Sequence, residues 1–145
     1  MGDIFERILM LKDTPFFSEV NTDDLHVVAQ EIQEEAYLSG DRVFDIYDPS
    51  DRVYIIRSGK VGISIEEDPG SKEFITILGE RECFGEMGVL DDEPRSATIH
   101  VIEDAVLLVL EKTKLRGLIA TYPELSLGIM RSLTARLRES NRRQT

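Results

Sequence analysis

The chain has 145 residues, of which 41% are hydrophobic and 31% charged, and a formal net charge of −11. That length accommodates one buried core, its charges are dispersed among apolar runs as in a folding chain, and its acidity repels nucleic acid and anionic lipid headgroups. Cys83 is the only cysteine, which excludes an internal disulfide or a four-cysteine metal site and fits a reducing compartment.

From Met1 to Ala36 nine Asp or Glu stand against Arg7 and Lys12. Asp3 and Glu6 occupy the place where a signal peptide would be basic or apolar, and no later apolar run approaches membrane-spanning length. The chain therefore reads as a soluble cytoplasmic protein without membrane insertion. Ile4, Ile8 and Leu11 recur at helical spacing and Pro15 closes that first helix, because proline disfavours helix at the residue before it. Asn21 or Thr22 caps a second helix with Leu25, Val28, Ala29 and Ile32 as its stripe, predicted to run to about Glu34.

From Ala36 the period changes to two. Val43 to Ile46, Val53 to Arg57, Val61/Ile63/Ile65, Phe74 to Leu78, Ala97/Ile99/Val101 and Val106 to Leu110 read as short strands. Gly40-Asp41, Asp48-Pro49, Ser58-Gly59 and Pro69-Gly70 separate them, the punctuation of an antiparallel barrel or jelly roll. After Glu111 the helical period returns through Leu115, Leu118 and Ile119, and again from Pro123 through Leu125, Ile129, Met130, Leu133 and Leu137 to about Arg143. The three-then-four spacing of Met130, Leu133 and Leu137 suits either a coiled-coil seam in a homodimer or packing on the chain's own barrel. From Leu127 to Thr145 five arginines stand against Glu139 alone, which complements a helix C-terminus.

The chemistry concentrates between two strands, in Phe84-Gly85-Glu86-Met87-Gly88-Val89-Leu90, then Asp91-Asp92-Glu93, then Pro94-Arg95-Ser96-Ala97-Thr98. A glycine there lets backbone N–H groups approach an anion, and a short helix starting at Gly85 turns its unpaired N–H groups to the same spot. Arg95 supplies a planar fork for a phosphate, and Glu86 an acceptor suited to a ribose hydroxyl. Asp91, Asp92 and Glu93 would oppose an anion and are expected to face solvent. Phe84 reads as core and Cys83 as a small buried hydrophobe. His26 and His100 have no partner at metal-ligand spacing, so neither a metal site nor a catalytic constellation is expected.

On these residues the whole chain resembles the cyclic nucleotide-binding domain of catabolite-activator-type regulators, cyclic-nucleotide-dependent kinases and cyclic-nucleotide-gated channels, with residues 84–98 as its phosphate-binding cassette. The resemblance implies a mainly β domain over residues 1–145, with N-terminal helices (1–35), an eight-stranded antiparallel jelly-roll barrel (36–111) and a C-terminal helical pair (112–143). It implies that Glu86 accepts from the ribose 2′-hydroxyl and Arg95 pairs with the cyclic phosphate. The backbone at Gly85, Met87, Ser96 and Ala97 completes the anion site, Ile75 and Leu78 pack on the base, and Ser140 and Asn141 fall near it on the last helix. The implied ligand is cAMP ahead of cGMP, with no cofactor and no enzymatic activity. A docking or dimerisation module that keeps only the fold is the alternative, and the downstream effector is unknown.

Two positions depart from the family pattern. Tyr47 and Arg81 stand where glycines are usual, and turns rebuilt with non-glycine geometry are expected there. Replacing Arg95 with Ala is expected to cost about 2–5 kcal/mol of binding with little effect on folding.

Overall fold

The computed structural model describes residues 3–65 and 74–144; the Pro69-Gly70 turn lies outside them. The chain forms two compact units, one from residues 1–32 with 113–145 and one from residues 33–112.

The first unit is helical. Helix α1 (Ile4–Lys12) starts at Asp3, whose carboxylate accepts from the Phe5 N–H, and α2 (Thr22–Gln30) starts at Asn21, whose side chain accepts from the Asp24 N–H. Each cap satisfies a donor that the first turn leaves unpaired. Ile8 and Leu11 of α1 and Leu25, Val28 and Ala29 of α2 are buried, as the sequence spacing requires. Between the helices Phe16 and Phe17 pack edge to face, 4.9 Å apart. Arg7 donates to the Ile32 carbonyl at 2.9 Å, just beyond the C-terminus of α2, where carbonyls lack helical partners. Helices α4 (Lys112–Thr121) and α5 (Pro123–Gln144) follow the sheet in sequence. In α5, Ser132 accepts from the Glu19 N–H at 2.9 Å.

Helix α2 stops at Gln30, short of the expected Glu34, because Gln33–Tyr37 is already strand β1. Gln33 and Glu34 are exposed and pair with Val109 and Leu108. Their polarity hid a strand whose hydrogen bonds come from the backbone.

The second unit is an antiparallel sheet of β1, β2 (Arg42–Phe44), β3 (Arg52–Ser64), β4 (Thr76–Leu78), β5 (Cys83–Phe84) and β6 (Thr98–Glu111), with the short helix α3 (Glu86–Asp91) between β5 and β6. Its order is β1-β6-β3-β4, with β2 on β6 and β5 on β3. The described residues thus hold six strands in an open path, not the eight strands of a closed barrel. The pairs expected at Val53 and Val61, and at Ile99 and Val106, are single strands. β3 and β6 pair from Arg52↔Glu111 to Ser64↔Thr98, and their register shifts between Ile56 and Val61 without separating them. Ser58-Gly59 is therefore a bulge inside a strand, not a turn between two. Tyr54, Ile56, Val61, Phe84, Ile99, Val101, Ala105, Leu107 and Val109 form the core of this unit.

Candidate functional site

The sheet brings the ends of β2, β5 and β6 together around Arg95. Backbone hydrogen bonds hold this residue from both sides: its N–H donates to the Asp48 carbonyl and its carbonyl accepts from the Tyr47 N–H, each at 2.8 Å. Its side chain then runs inward, and the residue is only 4% exposed. Nη1 donates to the Gly85 carbonyl at 3.0 Å and Nη2 to the Arg52 carbonyl at 2.8 Å. The guanidinium lies over the Phe44 ring, with Cζ 4.0 Å from the ring centroid, and the Tyr54 centroid is 5.9 Å away. Nε is buried without a hydrogen-bond partner. Burial pushes the pKa of the guanidinium down from its ordinary value, against the upward pull of Tyr54, Asp51, Asp48 and Glu86. The nearest of these carboxylates, Asp51, is 3.8 Å from Nη2 and its side chain is 70% exposed. That distance exceeds a hydrogen bond, so backbone dipoles and a ring, rather than a carboxylate, hold the cation.

Two glycines make this possible. Gly85, the N-cap of α3, has φ +81°, and a Cβ there would lie 2.6 Å from Nη1 of Arg95; an L side chain would be both strained and in collision with the guanidinium. A Cβ on Gly88 would lie 2.6 Å from Cβ of Ser50 and 2.9 Å from the Glu93 carbonyl. That carbonyl accepts from Ser50 Oγ at 2.6 Å, so Gly88 lets α3 close on the Ser50–Glu93 bond.

These elements border a cavity of about 320 Å³, lined by Phe44, Ser50, Ile63 and Ile99 and by residues 84–88, 91 and 93–97. Its size suits a small ligand. The expected site residues Gly85, Glu86, Met87, Arg95, Ser96 and Ala97 all line it. Glu86 is 8% exposed, whereas Met87 and Ser96 are exposed. Ile75 and Leu78 are not among the lining residues: Ile75 is 61% exposed, and Leu78 packs against the core. Ile63 and Ile99 supply apolar wall instead. Ser140 and Asn141 are exposed on α5, in the helical unit.

Sequence reasoning missed Phe44, Ser50 and the Arg52 carbonyl. No residue type advertises an accepting carbonyl, and Phe44 reads simply as one more apolar strand residue. Asp91, Asp92 and Glu93 are exposed as expected, and Asp92 pairs with Lys112 at 2.6 Å. Cys83 is half-buried rather than buried: neighbouring strand residues point to opposite faces, and on β5 it is Phe84 that is buried.

Tyr47 (φ +76°) and Arg81 (φ +70°) are left-handed, so these turns keep the geometry that glycine would give. The expectation of rebuilt turns is corrected, and the reason is the bonds the two residues make. Tyr47 N–H and its neighbour's carbonyl clamp Arg95, while Arg81 N–H donates to the Ile56 carbonyl at 2.7 Å. Bonds of this kind over-determine a conformation that an L-residue otherwise avoids.

No helix among the described residues is long and apolar enough to cross a membrane. None of the described His, Cys, Asp and Glu side chains gather in threes as a metal site would require.

The family model described as a cyclic nucleotide-binding domain matches residues 34–122. The CRP-like cAMP-activated global transcriptional regulator of Mycobacterium tuberculosis is 33% identical over 125 residues, 86% of this chain and 56% of that protein. The cyclic AMP receptor protein of Thermus thermophilus is 30% identical over 131 residues, 90% of this chain and 61% of that one. The chain thus spans between half and two thirds of these relatives. Among solved structures, the N-terminal domain of a transcriptional regulator from Streptomyces coelicolor has a TM-score of 0.81 at 26% identity and covers 94% of this chain and 95% of its own.

Proposed function

The chain belongs to the cyclic nucleotide-binding domain family, and on that premise we propose that it is a receptor module for a cyclic nucleotide, cAMP ahead of cGMP, that senses its ligand and does not transform it. The observation that carries this reading is the buried Arg95 guanidinium, whose Nε lacks a partner beside a cavity of about 320 Å³. A buried cation with an unmet donor is costly, and one oxygen of a cyclic phosphodiester satisfies it. In this reading Gly85, Met87, Ser96 and Ala97 offer backbone to the same phosphate, and Glu86 accepts from the ribose 2′-hydroxyl. Ile63 and Ile99 give the sugar and base an apolar wall, and Ile75, Leu78, Ser140 and Asn141 reach the base only as the ligated form closes. The names of the two regulators, cAMP-activated and cyclic AMP receptor, favour adenine.

Ligand binding shifts the cassette and α5 together, provided the two arrangements bind nucleotide unequally. Exposed Met130 and Leu137 on α5 support self-association through that helix, and an effector outside these residues receives the signal. The acidic surface argues against nucleic acid as a partner of this segment. Calorimetric titration with cAMP and then cGMP tests the reading. Saturable binding of both, tighter for cAMP, is expected. A folded chain that gives no heat with either nucleotide at millimolar concentration would return the domain to a docking role.

A further inference from the structure

We propose that Phe44 is a positioning residue of this site: its ring holds the Arg95 guanidinium without taking a hydrogen bond and so leaves the Nε edge ready for the phosphate. The inference rests on the receptor reading above and adds to it a residue that does its work through Arg95.

A cation buried to this extent must be compensated locally. A carboxylate is the usual means, but it would occupy the N–H groups that a phosphate needs and would have to be displaced by it. Here the carboxylate is held off, with Asp51 at 3.8 Å and largely in solvent. Two carbonyls, of Gly85 and Arg52, take one donor from each Nη. A guanidinium carries five N–H groups in one plane, so three remain, including the orphaned Nε–H. The remaining compensation comes from a group that takes no hydrogen bond: the Phe44 ring lies beneath Cζ at 4.0 Å, within the range of a cation–π contact. Ring and anion therefore do not compete for the same donors.

Phe44 is itself fixed. It ends β2, and its ring packs 5.9 Å from Tyr54 and 6.0 Å from Phe84, which stack on each other at 5.0 Å. Phe44 and Tyr54 thus lie against one arginine, and Phe84 packs on both rings. The backbone clamp from Tyr47 and Asp48 sets where the arginine starts, and Phe44 sets where its head lies.

The test compares the unmodified chain with Phe44→Leu, which keeps an apolar side chain but removes the ring face, and with Phe44→Tyr, which restores it. Two quantities are read: the dissociation constant for cAMP by calorimetry, and the hydrogen exchange of the Arg95 Nε–H by nitrogen-15 NMR without nucleotide. For Phe44→Leu we expect about tenfold weaker binding, the scale of a desolvated cation–π contact, and faster exchange at Nε. For Phe44→Tyr we expect both near the unmodified values. Unchanged exchange in Phe44→Leu overturns the proposal, as does weakened binding that Phe44→Tyr fails to restore. If Phe44→Leu does not fold, Phe44→Met takes its place with the same expectations. If the unmodified chain binds no cyclic nucleotide, the receptor reading fails, while the exchange measurement still decides whether the ring holds the arginine.

Discussion

Arg95 carries two obligations, and a substitution separates them. Arg95→Ala is expected to weaken cAMP binding by about 2–5 kcal/mol, since the phosphate would lose its charged partner. From the sequence such a change reads as harmless to folding. The structure corrects that, because the carbonyls of Gly85 and Arg52 lose their donors. An accompanying stability loss of about 1–3 kcal/mol in urea denaturation is expected. Gly88→Ala tests the opposite wall: its methyl group would push on Ser50 and the Glu93 carbonyl, and a loss of about 1–3 kcal/mol is expected from such overpacking. His100 offers a pH test. Burial first, then Arg42, lowers its pKa against the opposing pull of Asp45. The folded state therefore binds fewer protons than the unfolded one, so stability is whole above the ordinary imidazole range and declines as pH falls through that range toward the lowered value. His100→Gln should flatten this part of a stability-versus-pH curve. Arg95, Glu86 and Gly85 were legible from the sequence because a motif fixes charge and chain flexibility by residue type. Phe44 was not, because being apolar on a strand fits a core position equally well.

At the scale of the element, what the sequence conveyed was where hydrogen-bonded segments begin, more than how they join. Asn21 announced α2, and its side chain does accept from Asp24; Asn21→Ala is expected to cost about 1 kcal/mol of stability. The end of α2 is illegible because Gln33 and Glu34 are polar and join the sheet through their backbones. Two long strands were read as four short ones because glycine and serine mark a bulge and a turn alike. Tyr47 is the most informative misreading. Its left-handed φ of +76° costs a residue with a Cβ about 1–2 kcal/mol, and glycine would give back part of that gain through its freer unfolded state. Tyr47→Gly should therefore change stability by between zero and about +1 kcal/mol in chemical denaturation and leave cAMP affinity unaltered. A marked loss of affinity would show that the Tyr47 side chain, and not its backbone, serves the clamp.

For the molecule as a whole, an anionic ligand must approach a chain of net charge −11. Long-range repulsion is screened over about 8 Å at physiological salt, whereas a buried pair with Arg95 is screened much less. Affinity for cAMP should therefore hold or improve between about 10 and about 150 mM salt, the reverse of an anion site on a basic surface, and titrations at several ionic strengths check it. Fold class was readable at this scale because the hydrophobic period changes twice along the chain, and those changes survive even where strand counts do not.

The longest pairing in the sheet, β3 on β6, joins segments far apart in sequence, and the cassette is strung on the excursion between them. During synthesis the ribosome therefore delivers Phe44, Gly85 and Arg95 before it delivers the strand that fixes their spacing. Contacts between such distant segments form slowly, so a nascent chain halted ahead of Glu111 should be blind to nucleotide. One released beyond it should gain protection from protease when cAMP is added. Ligand recognition in this design is a birth certificate for the finished sheet.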